Sequence, residues 1–175
     1  MKTVGIMTLF HNNNNFGGQL QAFALQQYIK ELGYNAVIID CELTSMQTKL
    51  TKLRHLGLFK LLKILNMKFY MKLNIYNHHF KTGMMGRRSK FAAFRESMEH
   101  SPFCKQANIA NILPQYDYYI TGSDQVWNPG FWSGVLFLDF VPSNLPKIAY
   151  AASLGVSSIT REPHMRFKDA LQDFH

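Results

Sequence analysis

A chain of 175 residues, 47% of them hydrophobic and 17% charged, is long enough to bury one substantial core and too apolar to be disordered. It contains no run of about 18 apolar residues, so no membrane-spanning helix is encoded, and its apolar start is too brief and too β-branched to be a secretory leader. The formal charge of +8 is concentrated: residues 43–95 hold twelve Lys and Arg and no Asp or Glu, against seven basic and eleven acidic residues elsewhere.

Residues 3–9 form a short run rich in β-formers, bounded by the turn-prone residues 12–18, and predict a buried strand. Leu20, Phe23, Ala24, Gln27, Tyr28 and Leu32 then recur at helical spacing, and Gly33 stands where a C-terminal glycine cap belongs. Residues 36–39 predict a second strand ending in Asp40. Strand, tight loop, helix and strand within forty residues make a βαβ unit, which builds a parallel sheet. Residues 56–76 predict a basic amphipathic helix or pair of helices, residues 76–90 a mobile connector with Gly83 and Gly86, and residues 91–98 a short helix. Strands are predicted at 116–121, 135–140 and 148–152, separated by segments rich in Gly, Pro, Asn and Ser, and a polar helix at 161–174. The fold class is therefore α/β, one domain over residues 1–175 with a basic helical insertion at about 43–95. Cys41 and Cys104, the two cysteines, have no metal-ligand spacing and read as reduced thiols, with neither disulfide nor zinc expected.

Chemistry can collect where loops follow strand ends. The loop from His11 through Asn15 to Gly17 and Gly18 joins a strand's carboxyl end to a helix N-terminus, a place that favours anions, and its Asn side chains and glycines can also grip sugar hydroxyls. A simple tight turn explains the same residues. The spacing is not GxGxxG and no Walker-type lysine follows, so no nicotinamide or ATP fingerprint is present. Asp40 can bind a ribose or cap a turn. The second loop, Gly122, Ser123, Asp124, Gln125, Val126, Trp127 and Asn128, brings a carboxylate, several hydrogen-bonding groups and an aromatic face within one short reach. Asp124 can orient or deprotonate an acceptor hydroxyl, or it can cap a helical turn. A third loop, around Ser153, can complete the same cleft.

Residues 15–25 (NFGGQLQAFAL), 116–129 (YDYYITGSDQVWNP), 137–141 (FLDFV) and 148–155 (IAYAASLG) resemble, in order and spacing, successive motifs of the polysaccharide pyruvyl transferase family. The string from Gly122 to Asn128 is the specific one. The resemblance implies a Rossmann-like parallel sheet flanked by helices, similar to the N-terminal domain of a GT-B-like two-domain transferase with its cleft between the halves. It also implies transfer of an enolpyruvyl unit from phosphoenolpyruvate to sugar hydroxyls, forming a pyruvate ketal on a surface polysaccharide or its precursor. Phosphoenolpyruvate would be a co-substrate, with no resident cofactor and no metal, and the location cytoplasmic. By this likeness the chain is the half that carries much of the acceptor side. The family's phosphoenolpyruvate-gripping Arg and His residues lie largely in the other half, so none is carried over, and the chain alone is expected to be inactive. A sugar-nucleotide glycosyltransferase and a non-catalytic glycan-binding or membrane-associated remnant are the competing expectations.

The basic segment lies where the family inserts a variable excursion. A solvated, lysine-faced covering helix is one reading of residues 56–76. A peripheral contact with the inner face of a membrane is another, suited to a lipid-linked rather than a free saccharide acceptor. Nucleic acid is not an expected partner, because no recognition motif accompanies the lysines.

Overall fold

The computed structural model describes residues 1–43, 78–112, 115–159 and 161–174, and the predicted helical stretch at 56–76 lies outside them. The elements run β1 (Thr3–Met7), α1 (Phe16–Glu31), β2 (Asn35–Ile38), β3 (Cys41–Glu42), α2 (His78–Glu96), β4 (Cys104–Lys105), α3 (Ile109–Ile112), β5 (Tyr118–Asp124), β6 (Lys147–Ala152) and α4 (Arg161–Ala170), with short 3-10 turns at Gln106–Asn108, Pro129–Phe131 and Gly134–Phe137.

Helix α1 has signals at both ends. The Asn15 side chain accepts the Gly18 N–H at 3.3 Å, satisfying one of the donors that a helix start leaves open. At the other end the Gly33 N–H reaches the Lys30 carbonyl and the Tyr34 N–H the Ile29 carbonyl, with Gly33 at φ +86°, a left-handed closure that glycine adopts without a Cβ clash. The chain then turns straight into β2, which pairs in parallel with β1 from Thr3↔Asn35 to Ile6↔Ile38.

The four-stranded sheet has the order β2-β1-β5-β6, with every neighbour parallel. The returning chain runs along the outer edge of β2: the Ile38 N–H donates to the Glu99 carbonyl, the Ser101 N–H to the Ile38 carbonyl and the Cys104 N–H to the Asp40 carbonyl, and β3 pairs with β4 beyond it. In chain order the four strands of this sheet therefore lie second, first, third, fourth, and the order reverses between β1 and β5, as at the switch point of a doubly wound sheet. The Rossmann-like α/β class expected from the sequence is the observed one.

Alternation along the strands serves two cores. Val4, Ile6, Ala36 and Ile38 pack with Ala22, Leu25 and Ile29 of α1. Met7, Ile39, Tyr119 and the two cysteines pack on the opposite face with Val126, Val135, Leu136 and Leu138.

Four segments depart from the sequence expectation. The buried face of α1 is Gly18, Gln19, Ala22, Leu25, Gln26 and Ile29, whereas Leu20, Phe23, Tyr28 and Leu32 are exposed. Small residues let the helix approach the sheet, and its bulky outer side chains meet α2 instead, Phe16 against Phe91 and Phe23 against Phe94 with ring centroids 4.6 and 5.6 Å apart. The predicted connector at 76–90 is helical from His78 onward, because two glycines cost a helix only about 1 kcal/mol each and tertiary packing overrides that. The predicted strand at 135–140 is instead a 3-10 turn ending at Leu138, with φ +57°. Val135, Leu136, Phe137 and Leu138 are all buried, and a continuous apolar run does not distinguish a strand from any other buried segment. Helix α4 ends at Ala170 rather than 174, and Phe174 forms an isolated parallel bridge with Lys147.

Burial also predicts how stability depends on pH. Cys41 and Cys104 are raised from 9.0, mainly by burial, and burial pushes the Tyr116 phenol up to about 12. An unfolded chain would release these protons first, so stability is fully present below about pH 9 and falls as the pH rises towards 12. The Tyr116 hydroxyl is buried without a hydrogen-bond partner among the described residues. Tyr116→Phe should therefore raise stability by about 1 kcal/mol and flatten the upper part of the alkaline decline, read by urea unfolding at pH 7, 10 and 11. Loss of stability in Tyr116→Phe at pH 7 would contradict this account.

Candidate functional site

The site is built on the neighbouring strands β1 and β5, whose last shared pair is Met7↔Thr121. Their carboxyl ends release two loops on the same side. The loop after β1 structures itself: the Asn13 amide donates to the Leu9 carbonyl at 2.6 Å, the Asn13 Oδ1 accepts the Asn15 N–H, and Asn12 occupies a left-handed conformation. Arg95 of α2 and Gln19 of α1 both donate to the Asn13 carbonyl, tying the loop down from two sides. Most of the asparagine run is thus consumed in shaping the loop, and Asn15 is the one that reaches the cavity described below.

Strand β5 continues past Thr121 through Gly122, Ser123 and Asp124. Gly122 has φ +118° and a cis bond to Ser123, and a Cβ there would run into the Tyr150 carbonyl of β6, so the tight approach of the strands requires glycine. The Ser123 hydroxyl donates to the Gln21 Oε1 at 2.9 Å. The Gln21 amide in turn donates to the Thr8 hydroxyl at 2.8 Å and the Gly18 carbonyl at 3.0 Å. One side chain therefore links β5, α1 and the end of β1. Asp124 accepts the Gln125 N–H on Oδ1 at 2.7 Å.

Between these loops lies a cavity of about 310 Å³ lined by Asn15, Gly17, Gly18, Gln21, Ser123 and Asp124, at the small end of ligand-pocket volumes. Its donor set is one carboxylate, a hydroxyl, two carboxamides and the backbone of a helix's first turn. That chemistry matches a polyhydroxylated neutral ligand, since the carboxylate opposes a bare anion while amides and carboxylate together accept and donate to hydroxyls. No Lys or Arg lines it, and among the described residues no group of three His, Cys, Asp or Glu is placed to hold a metal.

The structure brings together five sequence-predicted residues, Asn15, Gly17, Gly18, Ser123 and Asp124, and places the others elsewhere. Trp127 stacks on Phe137 with centroids 5.4 Å apart and donates through Nε1 to the Leu136 carbonyl, so its face is used for packing. Asn128 caps the 3-10 turn at Pro129–Phe131, and its amide meets the exposed Gln125. Ser153 joins through its backbone, its N–H donating to the Asp124 carbonyl and its own carbonyl accepting the Trp127 N–H. His11 pairs with Asp40 across the ends of β1 and β2 at 2.7 Å. Its Nε2 meets the Asn12 amide and its ring lies 4.9 Å from that of Phe103. Asp40 is thus committed to a histidine instead of being open to a ribose. Gln21, which lies within the motif at 15–25 but is not picked out by the sequence as a site residue, is the residue missed; its signal was a polar side chain just beyond the first turn of a helix that opens Phe16-Gly17-Gly18.

Comparison with known proteins gives the site a context. No curated protein matches the chain, and no solved structure does. A family model described as polysaccharide pyruvyl transferase matches residues 15–175. The match opens at Asn15, the first cavity residue, and spans every other residue that lines the cavity, while leaving His11 outside. By that match over nearly its whole length, and by loops that converge where its motifs lie, the chain belongs to the polysaccharide pyruvyl transferase family.

Proposed function

We propose that this domain holds the sugar acceptor of a pyruvyl transfer, in which phosphoenolpyruvate donates to hydroxyls of a cell-surface polysaccharide or its precursor in the cytoplasm. The observation that carries the reading is the meeting of the Asp124 carboxylate with Asn15, Gln21 and Ser123 in one small cavity at the strand reversal. In this role Asn15 and Gln21 orient sugar hydroxyls. Asp124 takes the proton of the attacking hydroxyl as its oxygen bonds to the central carbon of the enolpyruvyl group, whose double bond opens as the methylene carbon takes a proton from water or an acid on the donor side and becomes the methyl group. A second sugar hydroxyl closes the ketal as phosphate leaves. Ser123, already donating to Gln21, positions that amide.

The donor needs cations for its phosphate and carboxylate, and none lines this cavity. Phosphoenolpyruvate is therefore expected to bind the isolated chain weakly, with a Kd in the millimolar range or above. Calorimetric titration giving micromolar affinity would show that the donor site lies here after all. On the acceptor side, Gln21→Ala and Ser123→Ala should each weaken saccharide binding roughly 5-fold, about one hydrogen bond, in an NMR titration with a panel of monosaccharides. Asp124→Asn should lower acceptor-dependent phosphate release on the order of 100-fold or more in a protein competent for transfer. Full activity in Asp124→Asn would remove the carboxylate from the reaction.

A lipid-linked acceptor would bring the domain to a membrane, and an apolar groove beside this cavity supports that reading. On the other flank of the first turn of α1, Phe16, Leu20, Phe91 and Phe94 line a groove of about 590 Å³ with Arg87 and Lys90 at its side, and the Arg87 guanidinium lies 5.2 Å from the Phe16 ring centre. The exposed Phe16 and Leu20 beside cations suit a peripheral contact with an anionic membrane. Co-sedimentation with anionic vesicles should exceed that with neutral ones, fall as salt rises, and drop further in Arg87→Glu. Equal absence from both kinds of vesicle would remove the membrane contact and leave the free saccharide as acceptor.

A further inference from the structure

Cys41 and Cys104 are far apart in sequence and adjacent in space. They are direct partners in the parallel pairing of β3 with β4, where side chains of aligned residues leave the same face of the pair and strand axes lie about 4.8 Å apart. That spacing falls within the Cα separations a disulfide spans, about 4.4–6.8 Å. Their neighbours Glu42 and Lys105 are exposed, whereas the two thiols point into the core with Met7, Ile39 and Tyr116 and are 3% and 1% accessible. Both are free thiols, and the Cys41 thiol donates to the Glu42 carbonyl at 3.8 Å. Cys41 is the last core residue before the basic excursion and Cys104 the first core residue of the edge strand after it. The pair thus stands at the base of the excursion, beside the Asp40 that holds His11.

We propose that Cys41 and Cys104 form a disulfide site: a dithiol aligned by β3 and β4 that closes the intervening chain covalently when a small disulfide oxidant such as oxidised glutathione is present. The balance is that of thiol–disulfide exchange. One thiol loses its proton and attacks the oxidant, releasing one glutathione thiol and leaving a mixed disulfide. The second thiol then attacks the protein sulfur of that adduct, releasing the second glutathione. Two protein thiols are oxidised and one glutathione disulfide is reduced to two thiols. Burial keeps both cysteines protonated, so the first attack waits on opening of a two-residue edge pair and accelerates as pH rises. Once opened, no other cysteine in the chain competes for the intermediate.

The test equilibrates the whole chain with reduced and oxidised glutathione at a series of ratios, in native buffer and in urea, with mass spectrometry of acid-quenched samples. The native chain should lose two hydrogens and yield a single cross-linked peptide pair containing Cys41 and Cys104. Its equilibrium constant for closure should exceed that in urea by roughly 100-fold, an advantage within the range typical of disulfides. The oxidised form should melt on the order of 5–10 °C higher than the reduced form, and Cys41→Ser and Cys104→Ser should each give at most one glutathione adduct. Accumulation of separate glutathione adducts on both cysteines, disulfide-linked dimers in place of the internal bond, or equal closure constants in buffer and urea would each overturn the proposal. So would an oxidised chain that melts lower than the reduced one.

Discussion

Four aligned residue pairs, from Val4↔Tyr118 to Met7↔Thr121, join strands separated by more than a hundred residues of chain, and the rest of the molecule is arranged around that junction. Parallel neighbours cannot be linked by a tight turn, so everything between β1 and β5 must leave at one end and return at the other. The chain does so by building outward, through α1, β2 and the segment that returns along its outer edge, before crossing back to β5 and on to β6. Because the two excursions depart in opposite directions, their opening loops separate at the carboxyl edge and leave a crevice between them. The cavity is therefore a product of topology before it is a product of any side chain. The chemistry found in it depends on what the first residues of those two loops happen to be.

Those residues were readable because each has a local reason to be where it is. Asn15 caps a helix, Gly33 ends it, and Gly122 turns the chain at a positive φ. Turn and cap chemistry is written into a few adjacent residues and survives without knowledge of the rest of the fold. Contacts made across long separations left no such mark. Nothing local to residues 135–138 says that the Leu136 carbonyl will accept both the Thr121 hydroxyl and the Trp127 indole, and those bonds hold that run as a buried turn and turn Trp127 inward. The same holds for His11, whose carboxylate partner lies 29 residues away.

The two candidate loops differ in how they are held, and the difference bears on function. The loop after β1 is fixed from outside, by Arg95 and Gln19 on its Asn13 carbonyl, and from beneath by the His11–Asp40 pair. The loop after β5 is fixed by strand pairing and by Ser153 on the backbone of Asp124 and Trp127. Neither support uses an atom of the carboxylate that faces the cavity beyond the single bond from the Gln125 amide. Preorganisation of this kind, in which backbone and buried polar groups carry the geometry and leave the carboxylate unspent, lowers the ordering cost when a ligand arrives.

Helix α1 meets the sheet partly through carboxamides. Gln26 donates to the carbonyls of Ala36 and Glu99 at 3.0 and 2.6 Å, and Gln19 to those of Asn13 and Phe91. A helix seated only on alkyl groups can turn a few degrees about its axis with little penalty, since dispersion contacts are numerous and individually weak. Directional bonds at two points more than a turn apart do not permit that, because a small rotation would leave buried donors without acceptors. The azimuth of α1 is consequently indexed to the edge of the sheet furthest from β5. Residues at its first turn inherit that indexing, so the alignment of Gln21 with Ser123 is set in part by hydrogen bonds made on the opposite side of the domain.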